Sequence, residues 1–278
     1  MKKISRRSFL AAAGLSVAAL ALTACGGSAS SVASSVASSA SSAAASTSAA
    51  AGELTTVEAG KLTMATNATF PPYEMTTDAG DIEGIDVETA QAIADKLGLE
   101  LQIDDMDFDA ALLSVQQGKA DIVMAGVTVT DERKAVMDFS DSYATGIQSI
   151  IVPEGSDIAS PDDLAGKKIG TQRGTTGYIY CSDDFGDDAV VAYDNGLTAV
   201  QALNNGQVDA VVIDNAPAKE YVAANPGLAI LDTSYAEEDY AIGMAKGSSL
   251  EAAVNAALEE LKADGTLQAI VDKYITAE

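Results

Sequence analysis

Two side chains, Thr128 and Arg133, have the chemistry to bind an anion together. A threonine offers a hydroxyl, and the arginine guanidinium is a fork of N–H donors that matches a carboxylate or a phosphate. Both lie in residues 125–141, after an apolar run typical of a buried strand and beside Thr130, a favoured helix N-cap. Ligands of open α/β sheets bind at the C-terminal ends of strands. The segment therefore predicts an anion site, although an ordinary helix start with a solvated arginine has the same pattern. The apolar positions of this helix are expected at Ala135, Val136 and Phe139.

A second copy of the unit lies 88 residues further along the chain. The shared pattern is an apolar helical end, an amide residue, glycine, two further residues, aspartate and an apolar run. The first copy has Gly118 and Asp121, and the second has Gly206 and Asp209. The repeat predicts two similar lobes, although common α/β construction can also produce it.

On the same spacing, the strand end at Gly126 corresponds to Asp214. If the two copies face each other across a cleft, one side offers the cation of Arg133 and the other a carboxylate. A buried carboxylate is costly unless it meets a ligand cation or an internal donor. The arrangement predicts a receptor for a small zwitterion.

The remaining elements can be placed around these residues. We expect a strand at 61–65, an amphipathic helix over 84–98 and a further strand at 100–103. Phe70 lies in a loop that prolines make rigid, and Phe108 is expected in a second loop. Either ring could be a stacking surface at the cleft, and for a lone phenylalanine the core is the alternative.

The second half of the chain repeats the alternation of strands and helices. Residues 160–163 favour a helix start, 168–171 a strand, and the glycine-rich turn 174–177 opens another helix. Backbone N–H groups at such a helix start bind anions. Strands near residue 148 and over 240–245 would cross between the lobes, and two crossings form a hinge.

The predicted fold class is α/β: two similar α/β lobes joined by a two-strand hinge, with the ligand cleft between them. Residues 54–149 plus 239–278 form the first lobe, and residues 150–238 form the second. Residues 26–53 are almost wholly Ser, Ala and Gly, a composition typical of a flexible linker. Residues 1–25 have the basic start and short apolar run of a secretion signal.

The signal ends at Cys25 in a sequence that resembles a bacterial lipobox, whose cysteine is lipidated; cleavage by an ordinary signal peptidase is the alternative. We therefore expect an extracytoplasmic protein anchored to the membrane by lipidated Cys25. The Arg6-Arg7 pair resembles a twin-arginine export motif, and the export route stays open. Cys181 then has no partner and is expected to be a free, mostly buried thiol.

Composition excludes several classes of function. The chain has 16 basic and 41 acidic residues, a net charge of −25, which repels nucleic acid and anionic lipid. Four aspartates over 183–188 fit no EF-hand loop, and a solvated acidic loop is expected there. No metal or cofactor is expected.

The order of the motifs resembles that of the solute receptors of polar amino acid ABC importers, which have the type II periplasmic binding protein fold. The resemblance covers about residues 58–275. The segments that carry it are 70–74, 84–87, 117–121, 128–133, 138–141, 163–170, 174–176, 206–214 and 263–266. It implies a protein that binds a free amino acid, delivers it to a permease and functions as a monomer.

The resemblance also implies a role for each site residue. Arg133 would hold the ligand α-carboxylate, helped by the backbone of Thr175 or Thr176. The α-ammonium would be held by Asp214, Thr128 and the carbonyl of Gly126. Phe70 and Phe108 would sandwich the ligand side chain.

Selectivity would come from Asn67, Gln172 and Arg173. Relatives that read a cationic or amide side chain often have Asp where this chain has Asn67, and the glutamine-binding branch has Lys where it has Gln172. Both departures leave an uncharged pair, which favours a polar neutral amino acid such as glutamine.

Two other classes of function stay open from the sequence. An enzyme on the same fold, such as a dehydratase, would need an acid or base; the chain has no His, although Asp and Glu could serve. A surface sensor or adhesion module would need an apolar patch for a protein partner or an attached signalling domain.

Overall fold

The computed structural model describes residues 54–275. The predicted signal (1–25) with Cys25 and the predicted linker (26–53) lie outside the described residues, as do residues 276–278. In chain order the strands are β1 (Lys61–Thr66), β2 (Thr69–Phe70), β3 (Glu74–Thr76), β4 (Ile82–Glu83), β5 (Glu100–Asp105), β6 (Ile122–Val123), β7 (Met137–Phe139), β8 (Ala144–Pro153), β9 (Ile169–Gln172), β10 (Val190–Tyr193), β11 (Ala210–Asp214), β12 (Leu228–Ile230), β13 (Ala236–Tyr240) and β14 (Gly243–Ala245). The α-helices are α1 (Ile85–Leu97), α2 (Phe108–Gln116), α3 (Asp131–Val136), α4 (Thr176–Phe185), α5 (Gly196–Asn204), α6 (Asn215–Ala224), α7 (Glu251–Ala263) and α8 (Thr266–Tyr274).

The first lobe is built on a five-stranded sheet in the order β5-β1-β6-β14-β7. Strand β1 pairs in parallel with β5 and β6, and β14 pairs antiparallel with β6 and β7. Helix α1 follows the predicted amphipathic pattern: Ile85, Ala90 and Ile93 are buried, and the helix ends at Gly98 in the left-handed conformation. Strands β1 and β5 also match their predicted positions.

The second lobe is built on a six-stranded sheet in the order β10-β9-β11-β8-β12, with β13 also paired to β8. Strands β9, β10 and β11 are parallel, whereas β8 runs antiparallel to its neighbours. The helix start predicted at 160–163 is a 3-10 helix, Pro161–Leu164, capped by Ser160 and Asp163. Cys181 is a free, buried thiol in the core of this lobe, as predicted, and burial raises its pKa to about 12.

Strands β8 and β13 form the connection between the lobes. They pair antiparallel, with Ala144 opposite Tyr240 and Gln148 opposite Ala236. The chain enters the second lobe along β8 and returns along β13 to β14 of the first sheet. The observed architecture is the predicted α/β fold of two lobes joined by two strands.

Several local predictions were wrong. Strand β6 ends at Val123, three residues before the predicted strand end at Gly126. The aspartates over 183–188 lie in α4 and in a 3-10 helix, Asp187–Ala189, not in a loop. The predicted crossing strand 240–245 is interrupted, because β13 ends at Tyr240 and β14 begins at Gly243.

Two further differences concern the first lobe. Helix α3 stops at Val136, and Phe139 lies on β7, so Ala135 and Val136 are exposed and do not share an apolar helix face with Phe139. The reason is tertiary: residues from Met137 onwards pair with β14. Phe108 is not in a loop; it is the first residue of α2.

Among residues 54–275, none of the helices combines the length and the apolar composition that crossing a bilayer requires.

Candidate functional site

A single cavity between the lobes brings together the residues that the sequence singled out. It encloses about 390 Å³ of space that no atom occupies, part of it continuous with solvent. All ten predicted ligand-binding residues line it: Asn67, Phe70, Phe108, Gly126, Thr128, Arg133, Gln172, Thr175, Thr176 and Asp214. The sequence analysis assigned no role to the other five lining residues: Glu74, Ala125, Gln148, Ile213 and Tyr240.

Arg133 belongs to the first lobe and is held by the start of α3. Thr130 caps this helix, and its Oγ1 accepts the N–H of Arg133 at 3.2 Å. The guanidinium donates from Nη1 to the carbonyl of Thr128 at 2.7 Å and from Nη2 to the carbonyl of Gly174, in the second lobe, at 3.1 Å. With 8% of its surface exposed, Arg133 is buried, contrary to the alternative of a solvated side chain. A guanidinium has five N–H donors, so these contacts leave it the capacity to bind an anion.

Burial has an electrostatic consequence for Arg133. Loss of water lowers the pKa of the guanidinium below its usual value, and the nearby carboxylate of Glu238 opposes this shift. An arginine stays protonated in proteins, so the cavity holds a fixed positive charge. The guanidinium carbon lies 5.4 Å from the centre of the Phe108 ring, a cation–π distance.

Asp214 presents the opposite charge from the second lobe. It is the last residue of β11 and the N-cap of α6, where its Oδ1 accepts the N–H of Ala216 at 2.9 Å. Its Oδ2 accepts the N–H of Ile147, on β8, at 2.8 Å. Burial raises the pKa of Asp214 to about 6, although these two N–H groups and the hydroxyl of Tyr240 favour the charged form. Internal donors thus hold a carboxylate that also faces the cavity.

The start of α4 forms a further part of the second lobe's wall. Thr175 is the N-cap: its Oγ1 accepts the N–H of Tyr178 at 3.4 Å and donates to the carbonyl of Gln172 at 2.8 Å. Thr176, the first helical residue, is buried and lines the cavity beside it. This is the helix start that the glycine-rich turn predicted, and its dipole favours a negative group nearby.

Two of the three predicted selectivity residues, Asn67 and Gln172, contact each other across the cleft. Gln172 Nε2 donates to Asn67 Oδ1 at 2.9 Å, and Asn67 Nδ2 donates to the carbonyl of Met106 at 2.9 Å. Arg173, in contrast, is turned away: its guanidinium lies 3.5 Å from Asp194, and about half of the side chain is exposed. The prediction that Arg173 reads the ligand side chain therefore has no support in its position.

Aromatic rings form one wall of the cavity. Phe70 stacks on Tyr73 with a centroid distance of 5.9 Å, and Tyr73 meets Tyr240 edge-on at 5.5 Å. Phe70 and Phe108 are both buried, with 8% and 5% of their surface exposed. Each is therefore a core residue and a cavity residue at the same time, so the two alternatives for a phenylalanine do not exclude each other here.

A pair of buried acids lies beside this wall. Glu74 and Asp86 are fully buried, and Asp86 Oδ2 accepts the N–H of Gly126 at 3.0 Å. Burial, followed by the neighbouring Asp86, raises the pKa of Glu74 well above its usual value, and burial raises the pKa of Asp86 to about 6. Both shifts favour the protonated form of these acids relative to exposed carboxyl groups. Its place after the rigid proline loop was the one sequence signal for Glu74.

Glu238, on the crossing strand β13, is a functional candidate that the sequence analysis missed. Its Oε2 accepts hydrogen bonds from Thr128 Oγ1 at 3.1 Å, Thr176 Oγ1 at 3.0 Å and Gln148 Nε2 at 3.0 Å. The alternation of exposed Glu237, buried Glu238, exposed Asp239 and buried Tyr240 is a strand pattern. That period of two was a signal in the sequence, but three acidic residues in a row concealed it.

Comparison with known proteins agrees with this geometry. Residues 62–277 match the family model described as bacterial extracellular solute-binding proteins, family 3. A probable histidine-binding protein of Neisseria gonorrhoeae is 34% identical over 275 residues, which are 96% of this chain and 95% of that protein. The L-cystine-binding protein TcyJ of Escherichia coli is 34% identical over 226 residues, covering 80% and 85% of the two chains.

A solved structure has the same fold. An ancestral arginine-binding protein bound to glutamine superposes with a TM-score of 0.75 at 43% identity and covers 78% of this chain and 99% of that one. These relatives are binding proteins, which confirms the resemblance drawn from the motifs and the prediction of a binder in preference to an enzyme. The chain belongs to the bacterial extracellular solute-binding proteins of family 3.

Proposed function

We propose that this protein binds one free polar amino acid between its lobes. The observation that carries the proposal is the pairing of Arg133 from the first lobe with Asp214 from the second around one cavity. The α-carboxylate binds the guanidinium of Arg133 and the backbone N–H groups at Thr175 and Thr176. The α-ammonium binds Asp214, Thr128 and the carbonyl of Gly126. A molecule with only one of the two charges leaves one of these buried groups without a partner, which is costly.

The distal end of the ligand lies against the aromatic wall, between Phe70 and Phe108, where Asn67 and Gln172 meet it. The uncharged amide pair favours a neutral polar side chain, and glutamine is our first candidate. Arginine is the second candidate because Glu74, a buried acid that lines the cavity, suits a side chain that ends in N–H donors. Two solved relatives, each described as an ancestral arginine-binding protein, are bound to glutamine in one structure and to arginine in the other, which supports both candidates.

We propose further that the protein delivers its ligand to the permease of an ABC importer and acts as a monomer outside the cytoplasm. Lipidated Cys25 anchors it, and the linker 26–53 keeps the binding lobes close to the membrane. The lobes are assigned as in the sequence analysis, 54–149 plus 239–278 and 150–238. Replacing Cys25 by Ala should move the protein from the membrane fraction to the soluble fraction of cells; continued membrane attachment would contradict the anchor.

A thermal-shift screen of the twenty amino acids plus cystine tests the central proposal. A ligand present at 100 times its Kd stabilises the folded state by about 2.7 kcal/mol, a readily measured rise in Tm. We expect glutamine or arginine to give the largest rise, with calorimetry confirming one site per chain. If none of the 21 compounds at millimolar concentration raises Tm, amino acid binding is ruled out.

A further inference from the structure

A carboxylate on the hinge, Glu238, meets both lobes at the edge of the cavity. Thr128, one of its donors, lies in the first lobe, between β6 and α3, and Thr176 is the first residue of α4 in the second lobe. The third donor, Gln148, is on β8, the other crossing strand. With 6% of its surface exposed, Glu238 is buried, whereas Glu237 beside it on β13 is exposed.

The chemistry of these contacts fixes the direction of two hydroxyl groups. A carboxylate only accepts hydrogen bonds, and a threonine hydroxyl has one proton to donate. Thr128 and Thr176 both direct that proton to the same oxygen, Oε2 of Glu238. Their two hydroxyl oxygens are 3.4 Å apart, a contact in which either could donate to the other, but the contacts to Glu238 are shorter, 3.1 and 3.0 Å, and lead to a charged acceptor. Both residues line the cavity. Toward the cavity, therefore, each hydroxyl presents lone pairs and no proton.

We propose that Glu238 is a positioning residue of the ligand site, which makes both threonine hydroxyls acceptors and so selects a ligand with an N–H donor at this point. This inference rests on the proposed function and deepens it. The α-ammonium of an amino acid has three such donors and supplies the group required. The hydroxyl of Thr176 does not donate to the α-carboxylate, so the contribution of this helix start to that group is limited to its backbone N–H groups.

The same contacts couple recognition of the ammonium to closure of the lobes. Glu238 and Gln148 are on the crossing strands, Thr128 is on one lobe and Thr176 on the other, so the four side chains meet only when the lobes are together. The carboxylate joins the lobes at the hinge while it orients the groups that the ligand meets.

The experiment compares Glu238→Gln with Glu237→Gln, the exposed neighbour on the same strand, in the full chain. A glutamine amide is close in shape to the carboxylate, but it is uncharged and its one oxygen has two lone pairs for the three donors that meet Oε2 of Glu238. It therefore holds the two hydroxyls as acceptors less firmly than the carboxylate does. Calorimetry would measure Kd for L-glutamine and L-arginine. Competition would measure Kd for 4-carbamoylbutanoic acid and 5-guanidinopentanoic acid, the same two molecules without the α-ammonium.

We expect Glu238→Gln to bind the amino acid at least tenfold more weakly and its analogue less than threefold more weakly, so the ratio of the two affinities falls. Glu237→Gln should leave both unchanged. A purely structural role of Glu238 would weaken both ligands alike, and an unchanged ratio overturns the proposal. If the wild-type chain binds no amino acid, it is the proposed function that fails; if it binds one and the ratio stays constant, only the role of Glu238 fails.

Discussion

The two copies of the repeated unit share the bounds of their helix and the turn that follows it, but strand β6 ends at Val123 whereas β11 continues to Asp214. Helix α2 spans Phe108–Gln116 and α5 spans Gly196–Asn204, so both ends of the helix are offset by 88 residues. Gly118 and Gly206 follow with φ angles of 65° and 66°. Asp121 then accepts the N–H of Thr63, and Asp209 accepts that of Lys168, each tying the turn to the neighbouring strand.

The copies diverge where they reach the cavity. In the first, Gly126 adopts a φ of 54°, and its N–H is held by Asp86, with Arg133 following on a separate short helix. In the second, Asp214 ends the strand and caps α6 at once. At the cavity, the first copy thus offers the backbone carbonyl of Gly126 and the guanidinium of Arg133, and the second offers the carboxylate of Asp214. The residues proposed to bind the ligand follow the two strands, and the repeat positions them.

The largest effect is expected at Arg133, the cation of the first copy. Arg133→Ala should fold but bind its amino acid at least 100-fold more weakly, because a two-pronged contact loses two charged hydrogen bonds of about 1.5–3 kcal/mol each. Lys134→Ala, an exposed cation on the same helix, is the matched control and should bind as the wild type does. Calorimetry that shows equal affinity for Arg133→Ala and the wild type would rule out a carboxylate contact.

Variants of Asp214 test the carboxylate of the second copy, and we expect a smaller loss of affinity than at Arg133. Asp214→Asn keeps the helix cap at Ala216 but sets an amide NH2 against the N–H of Ile147, so we expect a loss of about 1–3 kcal/mol in unfolding free energy. Loss of the charge should weaken binding about tenfold. Asp214→Ala should lose the cap as well, at about 1 kcal/mol of unfolding free energy. Equal affinities of Asp214→Asn and the wild type would contradict the ammonium contact.

The pH dependence of binding follows from the raised pKa of Asp214, about 6 in the absence of ligand. Below that pKa the carboxyl is protonated and no longer attracts an ammonium, so affinity should fall about tenfold between pH 7.5 and pH 5. Asp214→Asn should lose most of this dependence. Its persistence in that variant would instead assign the titration to Glu74 and Asp86, the other acids with raised pKa values beside the cavity.

The sequence was sufficient for the features that depend on local signals or on repetition. Thr130 marked the helix that holds Arg133, and the spacing of Gly118 and Gly206 identified two equivalent turns, although β6 ends at Val123 and not at Gly126. The role of Glu238 could not be predicted in this way, because its three donors come from residues 62 to 110 positions away. Phe139 was assigned to a helix because its pairing with Gly243, more than 100 residues later, leaves no local trace.

Gly126→Ala tests whether ligand binding requires a residue without a side chain at Gly126, the position that corresponds to Asp214 in the second copy. A Cβ at this position would lie 2.9 Å from Cε1 of Phe70 and 3.2 Å from the Tyr240 ring. We expect the Phe70 ring to shift and the affinity for amino acid to fall about threefold to tenfold, with a further loss of about 1–2 kcal/mol in unfolding free energy from the left-handed backbone. An unchanged affinity in calorimetry would show that binding does not depend on the position of the Phe70 ring.

The smallest effect on binding is expected at the two positions where the copies agree. At Gly118 and Gly206 a Cβ would meet no atom within 4 Å, so alanine at either position incurs only the cost of the left-handed conformation, about 1–2 kcal/mol. Gly118→Ala and Gly206→Ala should therefore reduce the unfolding free energy, measured in urea, by nearly equal amounts and leave Kd unchanged. Gly118→Ala has the left-handed backbone strain of Gly126→Ala but no contact with Phe70. The difference in affinity between these two variants therefore measures the effect of displacing the Phe70 ring. A large difference in unfolding free energy between Gly118→Ala and Gly206→Ala would contradict this expectation. It would mean that the two turns have the same geometry but contribute differently to stability, so that the lobes differ in their scaffold as well as at the cavity.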